Sequence, residues 1–348
     1  MLYFHNDYNA MCHEAVLRKL NAIAGQCCVG YGMDGHCEAA AAMIRRLCGR
    51  EDAAVHFLVG GTQTNLTVIA AALRPHQAVI GADTAHINVH ETGAIEATGH
   101  KLIALPSADG KLTAVQVEAV VQEHRQSGDA EHMAQPKMVY ISNSTELGTT
   151  YCRQELEELS AICRKYGLYL FMDGARLGYA LTAEGCDVTL QDLARLCDVF
   201  YIGGTKCGAM FGEAVVISHP AIAEDFRYLI KQRGGMLAKG WLLGTQFEAL
   251  LEDDLYFEIS RHANRLADRI RQTLTRIGCD FLAPSNTNQL FPVLPDEWLA
   301  ELGREFTFSE MGRVDEHRRA VRFCTGWNSA EADVDALCAA LKKLAENR

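Results

Sequence analysis

A single lysine stands in the stretch DVFYIGGTKCGAMFG (198–212), after an apolar run and two glycines. A lysine amine can condense with an aldehyde to a Schiff base, and burial or a nearby charge lowers its pKa enough to make it nucleophilic. The same stretch also reads as a surface lysine in a turn after a strand. Asp173 ends the apolar run of FMDGAR. A lone buried carboxylate is costly, so it needs a cation: either a protonated pyridine nitrogen or Arg176, three residues on. In GGTQTN (60–65) Gly60 and Gly61 let the backbone approach closely, and Thr62 and Thr64 carry hydroxyls at the start of a helix. An anion such as phosphate fits there, as does a plain glycine turn with a threonine cap. His86, in DTAHINVH, can lie flat on an aromatic ring; with His90 it has H-x-x-x-H metal spacing, but no third ligand stands out, and no metal is expected. Either histidine could instead be an ordinary core residue.

The elements that must hold these residues are legible from periodicity. Apolar runs at 55–59, 78–82, 101–105, 137–143, 168–173, 198–203 and 213–218 predict seven strands covered on both faces. Patterns with three- and four-residue spacing at 64–74, 111–125 and 152–167 predict helices, the last closed by a glycine. This alternation predicts an α/β domain with a mainly parallel seven-stranded sheet and helices on both faces. After about residue 220 the pattern changes: one long amphipathic helix over 251–278, short strands, and a final helix near 330–346 predict a smaller α+β unit. The domain division is 1–245 and 246–348. In such sheets ligands sit beyond the carboxyl ends of the strands, and every cluster named above follows a strand. Phosphate cradle, carboxylate for a ring nitrogen, stacking imidazole and Schiff-base lysine together describe a pyridoxal 5′-phosphate site.

Bulk properties bound the alternatives. A net charge of −11 over 348 residues disfavours nucleic acid or an anionic membrane as partner. Thirteen cysteines without a C-x-x-C pair suit reduced thiols in a cytoplasm. The opening MLYFHNDYNA lacks the basic and apolar regions of a signal peptide, and no window has the length of a membrane span. VGYGMDG (29–35) matches G-x-G-x-x-G, but the preceding residues look helical, whereas a dinucleotide fingerprint needs a strand.

Through HNDY, VGYGMD, GGTQTN, ADTAHINVHETGA, STELGTTY, MDGARLGYA, GGTKCGA and RFCTGW, nearly the whole chain resembles the threonine aldolase and β-eliminating lyase group of fold-type-I pyridoxal phosphate enzymes, most closely low-specificity L-threonine and phenylserine aldolases. The resemblance implies that Lys206 carries the cofactor, Asp173 pairs with its ring nitrogen and His86 stacks on the ring. It implies phosphate contacts from the turn Gly60, Gly61 and Thr62, with Lys239 reaching across a subunit interface. Arg322, Arg176 and Asn6 would face the amino-acid substrate, Arg176 also serving the cofactor, and the assembly would be a homo-oligomer, a dimer of dimers with shared active sites. Two departures stand out: Gly60 replaces a common serine, and Thr145 stands roughly where many relatives have a histidine. The implied reaction is retro-aldol cleavage of L-3-hydroxy amino acids to glycine and an aldehyde. Its base would be His86, His90, or a water held by Glu91 or Glu146. A β-eliminating lyase, an aminotransferase, or a scaffold that merely keeps the fold are the alternatives.

Overall fold

The computed structural model describes residues 1–346. All seven apolar runs are strands: β2 (Ala54–Leu58), β3 (Gln77–Ala82), β4 (Lys101–Leu105), β5 (Gln135–Ser142), β6 (Tyr169–Asp173), β7 (Val199–Gly203) and β8 (Glu213–Ile217). They follow the two-residue β1 (Leu2–Tyr3) and form one sheet in the order β2-β8-β7-β6-β5-β3-β4. Every residue of β3, β7 and β8 is buried, which explains why these strands read as unbroken apolar runs. Five strands, β4 to β7 through β3 and β5, run parallel; β8 alone is reversed, pairing antiparallel with both β7 and β2. The reversal places the first residue of β8, Glu213, opposite Leu58 and Gly203, at the same rim as the carboxyl ends of the parallel strands.

Helices cover the sheet much as their periodicity predicts. Gly61–Ala72 leaves β2 directly, Ala114–Gln126 starts at a Thr113–Gln116 capping box, and Arg153–Tyr166 stops at Gly167, whose φ of 69° is left-handed. The long helix expected over 251–278 is shorter. Asp253 and Asp254 take φ of 51° and 62°, and the regular helix runs Leu255–Arg276. Aspartate tolerates that backbone region better than most side chains, so the acidic run Glu252–Asp254 breaks the helix that the apolar pattern extends through it.

The second sheet contains β9 (Asp280–Phe281), β10 (Gln289–Leu290), β11 (Pro292–Pro295), β13 (Ser309–Arg313) and β14 (Arg318–Cys324), with β14 central. β12 (Phe306–Thr307) pairs instead with β1. Helix Leu255–Arg276 serves two cores. Tyr256, Ile259 and Ala263 join the core around the large sheet, while Leu266, Ile270 and Leu274 pack with Phe4, Phe323, Val334 and Leu337. Anchoring Phe4 there draws the next residues, through Tyr8, back toward the rim of the large sheet.

No strand leads into VGYGMDG. Helix Glu14–Ala22 precedes it, and helix Gly35–Cys48 follows with Asp34 as its cap. The dinucleotide alternative therefore lacks its strand–turn–helix frame. Among the described residues no disulfide joins any cysteines, and no helix is long and apolar enough to cross a membrane.

Candidate active site

Two adjoining cavities open at the carboxyl rim of the large sheet. The inner one, about 190 Å³, is lined by Gly60, Gly61 and Thr62 at one end, by Asp173 and His86, and by Lys206. The outer one, about 600 Å³, includes Tyr8, His90, Met311 and Arg322. His86, Glu146, Arg176 and Lys206 line both. Residues from the turns after β2, β3, β5, β6 and β7 thus meet at one place, as the parallel sheet requires.

Lys206 sits in the turn after β7 at the junction of the cavities. It is partly exposed, and among the described residues nothing bonds its Nζ. Protein still surrounds the amine closely. Desolvation, followed by the Arg176 charge, lowers its pKa, with Asp7, Asp173 and Glu213 opposing. The turn is stitched from below: Gly204 N–H donates to Glu213 Oε2 (3.1 Å) and Thr205 Oγ1 to Glu213 Oε1 (2.8 Å). Burial pushes the Glu213 carboxyl up to about 8.

Asp173 closes β6 and is buried. The tyrosine hydroxyl of Tyr140, Asn65 Nδ2 (3.1 Å) and Ala175 N–H (2.9 Å) all donate to it. Burial alone would raise its pKa; the Tyr140 and Tyr201 hydroxyls, the Ala175 N–H and the charge of His86 outweigh that and hold it below the ordinary value. Tyr201 lies close by, yet its Oη lacks a hydrogen-bond partner of acceptable geometry. Gly174 permits the strand end to pack: a Cβ there would lie 1.7 Å from the Tyr201 carbonyl oxygen.

The Asp173–Arg176 pairing open from sequence does not form. Arg176 instead grips Asp7 with Nε to Oδ2 at 2.8 Å and Nη2 to Oδ1 at 3.0 Å, and Asn288 adds a bond of 2.9 Å to the same carboxylate. Arg322 differs. Its guanidinium donates to Gln289 Oε1 (3.2 Å), the His5 carbonyl (3.0 Å) and Ser309 Oγ (3.2 Å), all uncharged, and its buried Nε has no partner. Among the described residues no carboxylate pairs with it.

His86 Nδ1 is 2.7 Å from Glu91 Oε1, and its backbone N–H donates to Glu146 Oε1 at 3.2 Å. Burial pulls the imidazole pKa down, but the Glu91 bond and the Asp173 charge overcome this and raise it. His90 has its ring centroid 5.5 Å from that of His86, and its pKa is lowered by desolvation and by the positive charges of His86, Arg322, Lys206 and Arg176.

Several expected residues stand elsewhere. Thr64 turns its hydroxyl onto the Gly60 carbonyl (3.0 Å), so only Thr62 of that pair lines the cavity. Asn6 caps its own turn by accepting from Tyr8 N–H (3.0 Å), and Tyr8 lines the outer cavity instead. Thr145 is buried against Thr149, while Glu146 and Leu147 face the cavity. Lys239 is exposed and lines neither cavity of its own protomer. Asp7, Asn65, Tyr140 and Glu213 were not singled out from sequence; Asp7 and Asn65 lie inside the quoted motifs HNDY and GGTQTN, but nothing local marks their partners.

The β-eliminating lyase family matches residues 8–296. A low specificity L-threonine aldolase from Pseudomonas sp. is 31% identical over 97% of this chain and 96% of its own length. The solved structure of Leishmania major threonine aldolase is 47% identical, covers 99% of this chain and 100% of its own, and superposes with a TM-score of 0.97. A Thermus thermophilus aspartate aminotransferase, 16% identical with a TM-score of 0.73 over 99% of this chain and 91% of its own, shares the fold.

Proposed function

The chain belongs to the β-eliminating lyase family, and from that premise we propose that it cleaves the Cα–Cβ bond of L-3-hydroxy amino acids such as threonine, allo-threonine or phenylserine, giving glycine and an aldehyde. It is a fold-type-I lyase dependent on pyridoxal 5′-phosphate. The inner cavity fits that group. A helix start with Gly60, Gly61 and Thr62 suits a phosphate, the buried Asp173 suits a protonated ring nitrogen, and Tyr201 Oη is an unpartnered polar atom in the same wall. A Cβ on Gly61 would stand 3.2 Å from that hydroxyl, narrowing the cradle. When bound, the cofactor supplies an electron sink for the pair released from the broken bond.

The observation that carries this reading is the overlap of the two cavities at Lys206, His86, Glu146 and Arg176, with an uncompensated Arg322 in the outer one. Arg176 is already neutralised by Asp7, so a substrate carboxylate goes to Arg322. That contact would hold the substrate at the junction of the two cavities, beside Lys206 and His86. Lys206, whose amine pKa desolvation and the Arg176 charge lower, would hold the cofactor and accept or return protons at Nζ. His86 Nδ1 is engaged by Glu91, which raises its pKa, whereas the His90 imidazole lines the outer cavity with its pKa lowered by desolvation; we assign removal of the β-hydroxyl proton to His90, directly or through water.

We further propose that a second copy completes the site. Met11, Val29, Tyr31 and Met33 are exposed, and Tyr31 N–H bonds the carbonyl of Ala238 beside the exposed Lys239. An apolar surface bearing a free lysine suits a homodimer in which Lys239 reaches the partner's phosphate, and pairs of dimers would follow. Cysteines that form no disulfide suit a reducing cytoplasm.

Incubating the purified, cofactor-loaded protein with L-threonine, L-allo-threonine and phenylserine, and identifying products by mass, tests the function. Glycine plus acetaldehyde or benzaldehyde is the expected result. A 2-oxo acid with ammonia would assign β-elimination instead, and no product from any of the three would overturn the reading.

A further inference from the structure

Behind the site, two buried side chains that the reaction as described does not use, Asn65 and Glu91, link two that it does. Asn65 lies one turn into helix Gly61–Ala72 and is fully buried. Its Nδ2 is 2.8 Å from Glu91 Oε1, 3.1 Å from Asp173 Oδ2 and 3.4 Å from Tyr140 Oη. Two carboxylates can only accept, so the amide nitrogen must face them, and Oδ1 is left without a partner. Glu91 has no exposed side-chain surface, and the same oxygen that accepts from Asn65 is 2.7 Å from His86 Nδ1. His86 Nε2 has no hydrogen-bond partner among the described residues and so remains for the cavity. The sequence of contacts is Asp173–Asn65–Glu91–His86, drawn from the end of β6, the helix after β2 and the segment after β3.

Resting on the cofactor site proposed above, we propose that Asn65 and Glu91 are positioning residues: together they tie the imidazole of His86 to the carboxylate of Asp173, so that the groups meeting a flat heterocycle at its face and at its edge keep one spacing. The chemistry supports this assignment. Without Asn65 two buried carboxylates would adjoin with no donor between them; without Glu91 the imidazole would lose the hydrogen bond that fixes its Nδ1, leaving Asp173 as its nearest negative charge. His86 is also faced by Glu146 from the loop after β5, Asp173 from β6, Lys206 from the turn after β7 and His90 on its own segment. Only Glu91 among these bonds its ring.

The test uses the full chain in cofactor-free form, with ¹⁵N-labelled histidine and the His86 signal assigned by loss in His86→Gln. Its readout is the His86 titration midpoint, so it does not depend on turnover and stands even if no 3-hydroxy amino acid is cleaved. Wild type should titrate above the ordinary histidine value of about 6.5. Glu91→Gln should lower the midpoint by about one unit or more. Asn65→Leu, which strips a donor from Glu91 and makes it a more basic partner, should raise it by a few tenths. Shifts of opposite sign are not what general loosening produces. An unmoved midpoint in Glu91→Gln, or a wild-type midpoint at or below the ordinary value, overturns the proposal; if Glu91→Gln does not fold, Glu91→Asp, which keeps the charge but draws it back from Nδ1, should lower the midpoint in its place.

Discussion

Arg322 and Arg176 line one cavity, yet the structure predicts that losing them has opposite consequences. Arg322 bonds only uncharged acceptors and has a buried Nε to spare, so its charge is available to a ligand carboxylate. A charge-assisted hydrogen bond contributes about 1.5–3 kcal/mol, and a forked pair about twice that. Arg322 is partly exposed, so solvent screening reduces the sum to about 2–4 kcal/mol. At about 1.4 kcal/mol per tenfold, Arg322→Gln should lower kcat/KM for L-threonine by roughly 30- to 1000-fold. Folding should suffer little, since the acceptors left behind cost about 1 kcal/mol. Arg176→Gln leaves Asp7, 1% exposed, as an uncompensated buried charge. Breaking such a pair costs about 3–5 kcal/mol of stability, and Tm should fall several times further than for Arg322→Gln. Steady-state kinetics on both variants, thermal unfolding, and binding of 1-amino-2-propanol, which lacks the carboxylate, form the assay. The amino alcohol should bind Arg322→Gln and wild type alike. A loss of kcat/KM below about fivefold in Arg322→Gln, or an Arg176→Gln protein as stable as wild type, would refute the division of labour argued from their partners.

Lys206→Ala should lose both turnover and the visible absorbance of bound cofactor; a variant that keeps the absorbance places the covalent link elsewhere. Glu213 carries a pH signature. Its folded pKa of about 8 lies above the roughly 4.3 of an unfolded glutamate, so the folded state binds more protons between those values, and this contribution to stability is present below about pH 4 and lost as pH rises through 8. Glu213→Gln should therefore gain stability relative to wild type on going from pH 5 to pH 8, by up to a few kcal/mol in the cofactor-free protein; parallel Tm curves for the two would dismiss the buried neutral carboxyl. Gly174→Ala should not yield folded protein, because its Cβ would occupy the space of the Tyr201 carbonyl; soluble, cofactor-binding Gly174→Ala would show that the β6 end can shift.

Periodicity and composition determined much of this protein by themselves. Apolar runs identify all seven strands of the large sheet to within two residues; β3, β7 and β8 are buried throughout, which leaves little room for polar residues, whereas β4 reads as apolar although Lys101 and Ala104 are exposed. Once those strands are known, Gly60–Thr62, His86, Asp173 and Lys206 fall at their carboxyl ends, and a parallel sheet gathers such ends at one rim. What the sequence alone left open was charge compensation. Arg176 has Asp173 three residues away but is neutralised by Asp7, 169 residues distant. Asn65 serves Glu91 and Asp173, and Arg322 meets no carboxylate at all. Local pattern reports which face of an element is covered; it carries nothing about which remote side chain is brought within 3 Å. The break at Asp253–Asp254 and the two-core role of helix Leu255–Arg276 have the same origin. Packing between distant segments decides which of several ionisable groups stays charged, and only the tertiary structure supplies that packing.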